Sequence, residues 1–197
     1  GPEAGHGPSS VWLPDKSPDL DAVPSLRYDS TRIDMATKKR KAPVGNMVIA
    51  QSGGPTMVIN QSLIGAILEA KRHKQIRNIY GSLHGIAGIL GEDFIDLRKE
   101  DAATLERVAR TPSSALGSVR KKPTKDDCQA IFRVLQKYGV RYFFYIGGND
   151  SAETTHIINE AARAANHDLR CFHVPKTIDN DLRENDHTPG FGSGARF

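Results

Sequence analysis

The sequence predicts an α/β fold built on a parallel sheet. Three observations carry that prediction. Short apolar runs alternate with stretches of helical period along most of the chain. Glycine pairs, Gly53–Gly54 and Gly147–Gly148, stand where two of the apolar runs stop. Strands that alternate with helices are joined by crossovers through those helices, and such crossovers place neighbouring strands parallel.

Each element follows from its own stretch. "NMVIAQ" is an apolar run that ends abruptly at Gly53 and Gly54, and reads as a strand. Beyond the glycines, Ile59, Leu63, Ala66, Ile67 and Ala70 share one face of a helix. "IRNIYG" is a second strand, and "SLHGIAGIL" after it is a glycine-punctuated loop. A short helix is expected near Asp101 to Ala109, followed by the loop "TPSSALGSVRKKPT" with Arg120, Lys121 and Lys122. From Lys125 a helical face returns with Cys128, Ile131, Phe132, Leu135 and Tyr138, and Gly139 ends it. "YFFYI" then forms a nearly all-apolar strand of the kind buried on both faces. Ser151 or Asp150 is expected to cap a helix running toward Asn166, and "RCFHV" to form a further buried strand.

Residues 1–43 behave differently. They are rich in Pro, Ser and Asp and hold no sustained period of two or 3.6, so an extended or partly disordered tail is expected. Met35 is a plausible natural start, and the leading "GP" resembles a remnant of tag removal. The patterned body, residues 44–197, is the expected domain. With 38 % hydrophobic and 25 % charged residues, the chain can build a core yet is too polar to live in a bilayer. No apolar stretch reaches the roughly 18 to 20 residues of a membrane span, and no secretory signal opens the chain, which points to the cytoplasm. Cys128 and Cys171 fall within apolar patterns and read as buried reduced thiols. The net charge of +4 suits anionic small molecules as well as polyanions. "KKRK" at positions 38–41 has no aromatic or basic groups clustered around it, so it reads as a solvated basic tail and no nucleic-acid partner is expected.

The polar loops gain meaning from the topology. "QSGGPT", "GGNDS" and "PKTIDND" each follow the carboxyl end of a strand, and open parallel sheets bind ligands in the crevice beyond that edge. Glycines before a helix let backbone N–H groups approach an anion, although many such turns use glycine only to turn. "GGPT" is neither a G-x-G-x-x-G fingerprint nor a Walker loop. In "GGNDS" the polar groups at the helix start serve either as caps or as phosphate and metal ligands. "PKTIDND" sets one lysine, one hydroxyl and two carboxylates within a few residues. One reading is a general base kept ionised by nearby positive charge. The other is an Asx-type turn in which Asp179, Asn180 and Asp181 satisfy the backbone. Spacing alone leaves these two readings even.

Taken together, "GGPTMVIN", "GGNDS" and "PKTIDND" followed by "DHTPGFGSGARF" resemble the N-terminal half of a phosphofructokinase, from about Val48 to Phe197. The resemblance implies the donor-binding part of that fold, a three-layer Rossmann-like parallel sheet. Within the family, "GGDGS" with "PGTIDND" accompanies ATP, whereas an acidic residue for the third glycine and a lysine after the proline accompany pyrophosphate. Asp150 and Lys176 stand at those positions, so the chain resembles the pyrophosphate-dependent branch. Asp150 would repel the α-phosphate of a nucleotide, and Lys176 would offer its ammonium to the smaller donor.

The implied reaction is reversible phosphoryl transfer from pyrophosphate to the 1-hydroxyl of fructose 6-phosphate, a step of glycolysis. By resemblance, Asp179 is the proton acceptor, Asp181 supports metal and base, and Thr177, Ile178 and Asp179 meet the substrate. Gly54, Gly148, Ser151 and Arg120 would hold the diphosphate, Arg120 as a fork of donors on phosphoryl oxygens. Mg2+ is the implied cofactor, with Asp150 as a ligand. Asn149 stands where many relatives carry a metal-binding aspartate; its carbonyl oxygen can coordinate Mg2+ but brings no charge. His84 is expected to be a surface or structural residue. The resemblance further implies a homo-oligomer and a second, sugar-phosphate-binding half, so the chain reads as truncated before that half. An ATP-dependent 6-phosphofructokinase and a non-catalytic phosphometabolite-binding subunit are the alternatives. The NAD kinase and diacylglycerol kinase group has a related glycine-acid loop but no "PKTIDND".

Overall fold

The computed structural model describes residues 41–56, 58–120 and 122–196. The expected tail therefore lies outside the described residues except for Lys41 to Pro43, and Met35 and most of "KKRK" lie outside them.

The sheet is built around β1 (Gly45–Gln51), with β2 (Ile76–Ser82) on one side and β4 (Val140–Gly147) on the other. Both pairings are parallel, as is that of β4 with β5 (Arg170–Pro175). The helices lie between strands: α1 (Ile59–Lys71), α2 (Ile86–Leu90), α3 (Ala102–Arg110), α4 (Lys125–Lys137) and α5 (Asn149–Ala164), with the short α6 (Phe191–Arg196) last.

Alternation along β1 explains the three layers. Met47 and Ile49 join one cluster with Ile59, Leu63 and Ile67 of α1 and Leu105 of α3. Val48 and Ala50 point to the other face, among Ile86 of α2, Cys128, Ile131 and Leu135 of α4, and Ile158 of α5. Successive side chains of a strand face opposite sides, so a central strand must be apolar at every position to serve two cores. Met47 to Ala50 are fully buried accordingly.

The expected parallel sheet carries one antiparallel edge strand, β3 (Phe94–Asp96), beside β2. Three expectations are corrected. The stretch read as a glycine-punctuated loop contains α2, held by the packing of Ile86 and Ile89 into the second core rather than by helix propensity. The strand β5 is an edge of the described sheet, with β4 its hydrogen-bonded neighbour, and Phe172 is 43 % exposed where burial was expected. Finally, α5 starts two to three residues earlier than expected: its N-cap is Gly148, without a side-chain cap bond, rather than Asp150 or Ser151, which fall inside the first turn.

Cys128 is buried and Cys171 partly buried, and both are free thiols. Burial pushes the Cys171 thiol up to about 12, so it is inert as a nucleophile near neutral pH. Among the described residues, no helix is long and apolar enough to cross a membrane.

Candidate active site

The loops after β1, β4 and β5 meet, as the topology predicts, around a cleft of about 600 Å3 at the carboxyl edge of the sheet. The Arg120 loop closes a further side, so four separated stretches contribute.

The loop after β1 is fixed from both sides. Ser52 N–H donates to the Ile146 carbonyl at 2.8 Å, carrying the β1–β4 ladder one step past the strand. Gly53 then turns with φ +75°, and its carbonyl accepts from the Ser118 hydroxyl. The positive φ favours glycine there, and a β-carbon at Gly53 would stand 2.8 Å from the Lys176 ammonium nitrogen and displace it. The Gly54 carbonyl accepts from Lys176 Nζ at 2.6 Å. Arg120 reaches the same place, with its Nη2 3.5 Å from where a Gly54 β-carbon would sit.

A buried amide network holds the Arg120 loop. Gln51, fully buried, donates through Nε2 to Asn60 Oδ1 at 3.0 Å and accepts at Oε1 from Ser114 Oγ and Leu116 N. Asn60 in turn donates to the Thr111 carbonyl and accepts from Ala115 N–H. Every partner is matched, which makes such a network rigid rather than costly. Its effect is to tie the loop that carries Arg120 to the end of β1.

At the β4 end, Gly147 is forced by close approach: a β-carbon there would lie 2.1 Å from Ser151 Oγ. Ser151 is 3 % exposed and lines the cleft. Asn149 donates through Nδ2 to Asp181 Oδ2 at 3.4 Å. Asp150 faces Lys122 Nζ at 3.8 Å, and Lys122 also pairs with Glu153 at 2.9 Å.

In the loop after β5, Lys176 N–H donates to the Gly147 carbonyl at 2.9 Å, while its side chain is 6 % exposed. Burial, reinforced by the Arg120 guanidinium, holds the Lys176 ammonium below the ordinary lysine range, and Asp179 pulls the other way. Thr177 Oγ1 accepts from Asp179 N–H at 3.0 Å. Asn180, at φ +56°, exchanges bonds with Thr188: Asn180 N–H to Thr188 Oγ1 at 3.2 Å, and Thr188 N–H to Asn180 Oδ1 at 2.8 Å. The turn bonds of "PKTIDND" fall on only part of the loop. Thr177 and Asn180 satisfy the turn, which leaves the carboxylates of Asp179 and Asp181 on the cleft wall beside Ile178.

The cleft therefore gathers Gly54, Arg120, Gly148, Asn149, Asp150, Ser151, Lys176, Thr177, Ile178, Asp179 and Asp181, which are all the site residues expected from the sequence. It also includes Thr56 and Lys122, which sequence reasoning missed. Lys122 stood in the right loop, but nothing in the sequence links it to Asp150. Lys121 lies outside the described residues. His84 makes no part of this cleft; at φ +57° its N–H donates to the Leu116 carbonyl at 2.7 Å, a loop contact.

Fold and cleft together define an α/β protein whose ligand site is a cationic and acidic crevice at a sheet's carboxyl edge. The phosphofructokinase family model matches residues 46–197, and the chain belongs to that family. It is 57 % identical over 153 residues to the pyrophosphate–fructose 6-phosphate 1-phosphotransferase of Rhodospirillum rubrum, a match covering 78 % of this chain and 38 % of that protein. It is 43 % identical over 158 residues to the enzyme of the same name from Xanthomonas campestris, covering 78 % and 37 %. Among solved structures, the pyrophosphate-dependent phosphofructokinase from Marinobacter aquaeolei superposes with a TM-score of 0.71 at 39 % identity, over 76 % of this chain and 38 % of that one. The chain thus spans less than half the length of these relatives.

Proposed function

We propose that this chain supplies the phosphoryl-donor site of a pyrophosphate-dependent phosphotransferase acting on the 1-hydroxyl of fructose 6-phosphate. One observation carries the donor assignment: Asp150 and Lys176, from different strand ends, line the same cleft. A carboxylate at the mouth disfavours the longer polyanionic chain of a nucleotide, and a buried ammonium next to Gly54 suits a compact diphosphate. The names of the relatives at 57 % and 43 % identity agree with this reading.

The residues divide the work. The Gly53–Gly54 backbone, Gly148 and the Arg120 fork hold phosphoryl oxygens of the donor. Asp179 accepts the proton of the attacking hydroxyl, from the cleft wall that Lys176 also lines. Thr177, whose oxygen is committed to Asp179 N–H, sets that loop's shape, so its contact with substrate is through the remaining valence of the hydroxyl. Asp181, bonded to Asn149, orients the acidic wall.

The donor set fits Mg2+. Among the described residues no group of three or more His, Cys, Asp or Glu could hold a metal by itself. Two exposed carboxylates that share an ion with phosphate oxygens and water are the usual Mg2+ arrangement. Asp150 and Asp181, with Asn149 between them in the cleft wall, would hold it. When bound, Mg2+ supplies charge neutralisation for the donor's oxygens. The active species is proposed to be a cytoplasmic homo-oligomer.

Coupled assays of fructose 1,6-bisphosphate formation by the complete protein, including the sugar-phosphate half, with pyrophosphate and with ATP, test the proposal. Turnover with pyrophosphate and not with ATP is expected. Turnover with ATP alone would overturn the donor assignment, and none with either would favour a binding subunit.

A further inference from the structure

Among buried polar side chains, Thr56 is an exception. It is 7 % exposed, and its hydroxyl has no hydrogen-bond partner among the described residues. Comparable hydroxyls are matched: Ser82 donates to the Gly85 carbonyl, Thr154 to Asp150 and Thr155 to Ser151, each at 2.7 Å. Arg98 Nη1 is the other unmatched buried atom among the described residues, but it belongs to a five-donor group and does not line the cleft. Folded chains seldom bury a polar atom without a partner unless something from outside supplies one.

The position of Thr56 says what that partner is. It lines the cleft and stands just before α1, whose N-cap is Val58 and has no side-chain cap bond. The first N–H groups of a helix lack acceptors within it and attract negative charge. The Arg120 guanidinium and the Lys176 ammonium both approach neighbouring Gly54. Thr56 thus stands two residues after the glycine that both cations reach and two residues before the uncapped start of α1. An incoming cation is repelled there, and an anion with several acceptor oxygens is drawn in.

We infer that the Thr56 hydroxyl is a binding group for a phosphoryl oxygen of the donor, completing the pocket formed by the Gly53–Gly54 turn and the start of α1. The inference rests on the cleft being the donor site, and it names a residue of that site beyond the glycine and arginine contacts. Thr56 binds through its hydroxyl and not through its shape.

Two variants separate these. Thr56→Val keeps the branched shape and removes the hydroxyl; Thr56→Ser keeps the hydroxyl. Pyrophosphate and ATP, each with MgCl2, are titrated calorimetrically into the full chain, and melting temperatures are taken without ligand. For Thr56→Val, pyrophosphate affinity should fall about tenfold, the scale of a lost hydrogen bond to a charged group. Its ligand-free melting temperature should equal or exceed that of the wild type, because an unmatched buried hydroxyl has been removed. Thr56→Ser should bind like the wild type. Unchanged affinity in Thr56→Val overturns the inference, as does equal loss in both variants with a lowered melting temperature, which marks a packing role. If the wild type binds ATP and not pyrophosphate, the donor assignment falls, and Thr56 is judged by the same variants' ATP affinity. If it binds neither, both fall.

Discussion

The long helices of this chain begin in two ways. The helices α3 and α4 are closed by side chains: Asp101 accepts from Thr104 N–H, and Thr124 and Asp127 form a reciprocal capping box. The helices α1 and α5 start at Val58 and Gly148 with no side-chain cap bond, directly after the loops that line the cleft. Caps of the first kind stabilise a helix by about 1 kcal/mol. Their absence from the two cleft-facing helices leaves backbone N–H groups open to an anion. Among these four helices, the two away from the cleft have capped starts and the two that face it have open ones.

The largest test of this contrast is at the acidic wall. Asp179→Ala should lower turnover roughly 100-fold to 10,000-fold, the usual cost of removing a positioned base, while the melting temperature stays near that of the wild type. A large loss of stability with the activity would move Asp179 from the chemistry to the turn.

A smaller effect follows from Lys176. Its pKa is held below the ordinary lysine value by burial and by Arg120, so the ammonium destabilises the native state at neutral pH, and that penalty lifts as pH rises toward the ordinary value. A bound diphosphate favours the protonated form. Pyrophosphate affinity should therefore fall, about tenfold, as pH rises through the depressed pKa, and earlier than exposed lysines titrate. Calorimetric titration across alkaline pH checks this; a flat profile would detach Lys176 from the donor.

The smallest effects come from exchanging the two kinds of helix start. At Gly148 a β-carbon has space, its nearest neighbour being the Lys176 carbonyl at 3.9 Å. Gly148→Ser should stabilise the fold by a few tenths of a kcal/mol and weaken pyrophosphate about fivefold by occupying the open N–H groups. Thr124→Ala should do the reverse: a loss of about 1 kcal/mol, or about 2–4 °C, with pyrophosphate affinity unchanged.

What the sequence disclosed follows the same division. Elements set by local period were legible: the α1 and α4 faces, the apolar β1 and β4, and the glycine pairs at their ends. The three cleft loops were legible because a parallel sheet brings every strand's carboxyl end to one edge. What stayed hidden depends on neighbours far along the chain. β3 is three residues long and exists by pairing with β2. "RCFHV" is apolar whether or not anything covers it, so its half-exposed edge could not be read. Thr56 resembles any loop threonine until the fold buries it, and Lys122 any loop lysine until α5 brings Asp150 and Glu153 beside it.

The contact between Gly53 and Lys176 has a consequence for redesign. The Lys176 ammonium stands 2.8 Å from where a Gly53 β-carbon would sit, and it fastens the Gly54 carbonyl. The two positions face each other from loops more than a hundred positions apart. Exchanging one loop for that of a relative with another donor, while keeping the other, either drives two groups into one space or leaves a hole behind the donor. On the donor reading proposed above, the loops after β1 and β5 act as a pair, and a redesign of the site exchanges both.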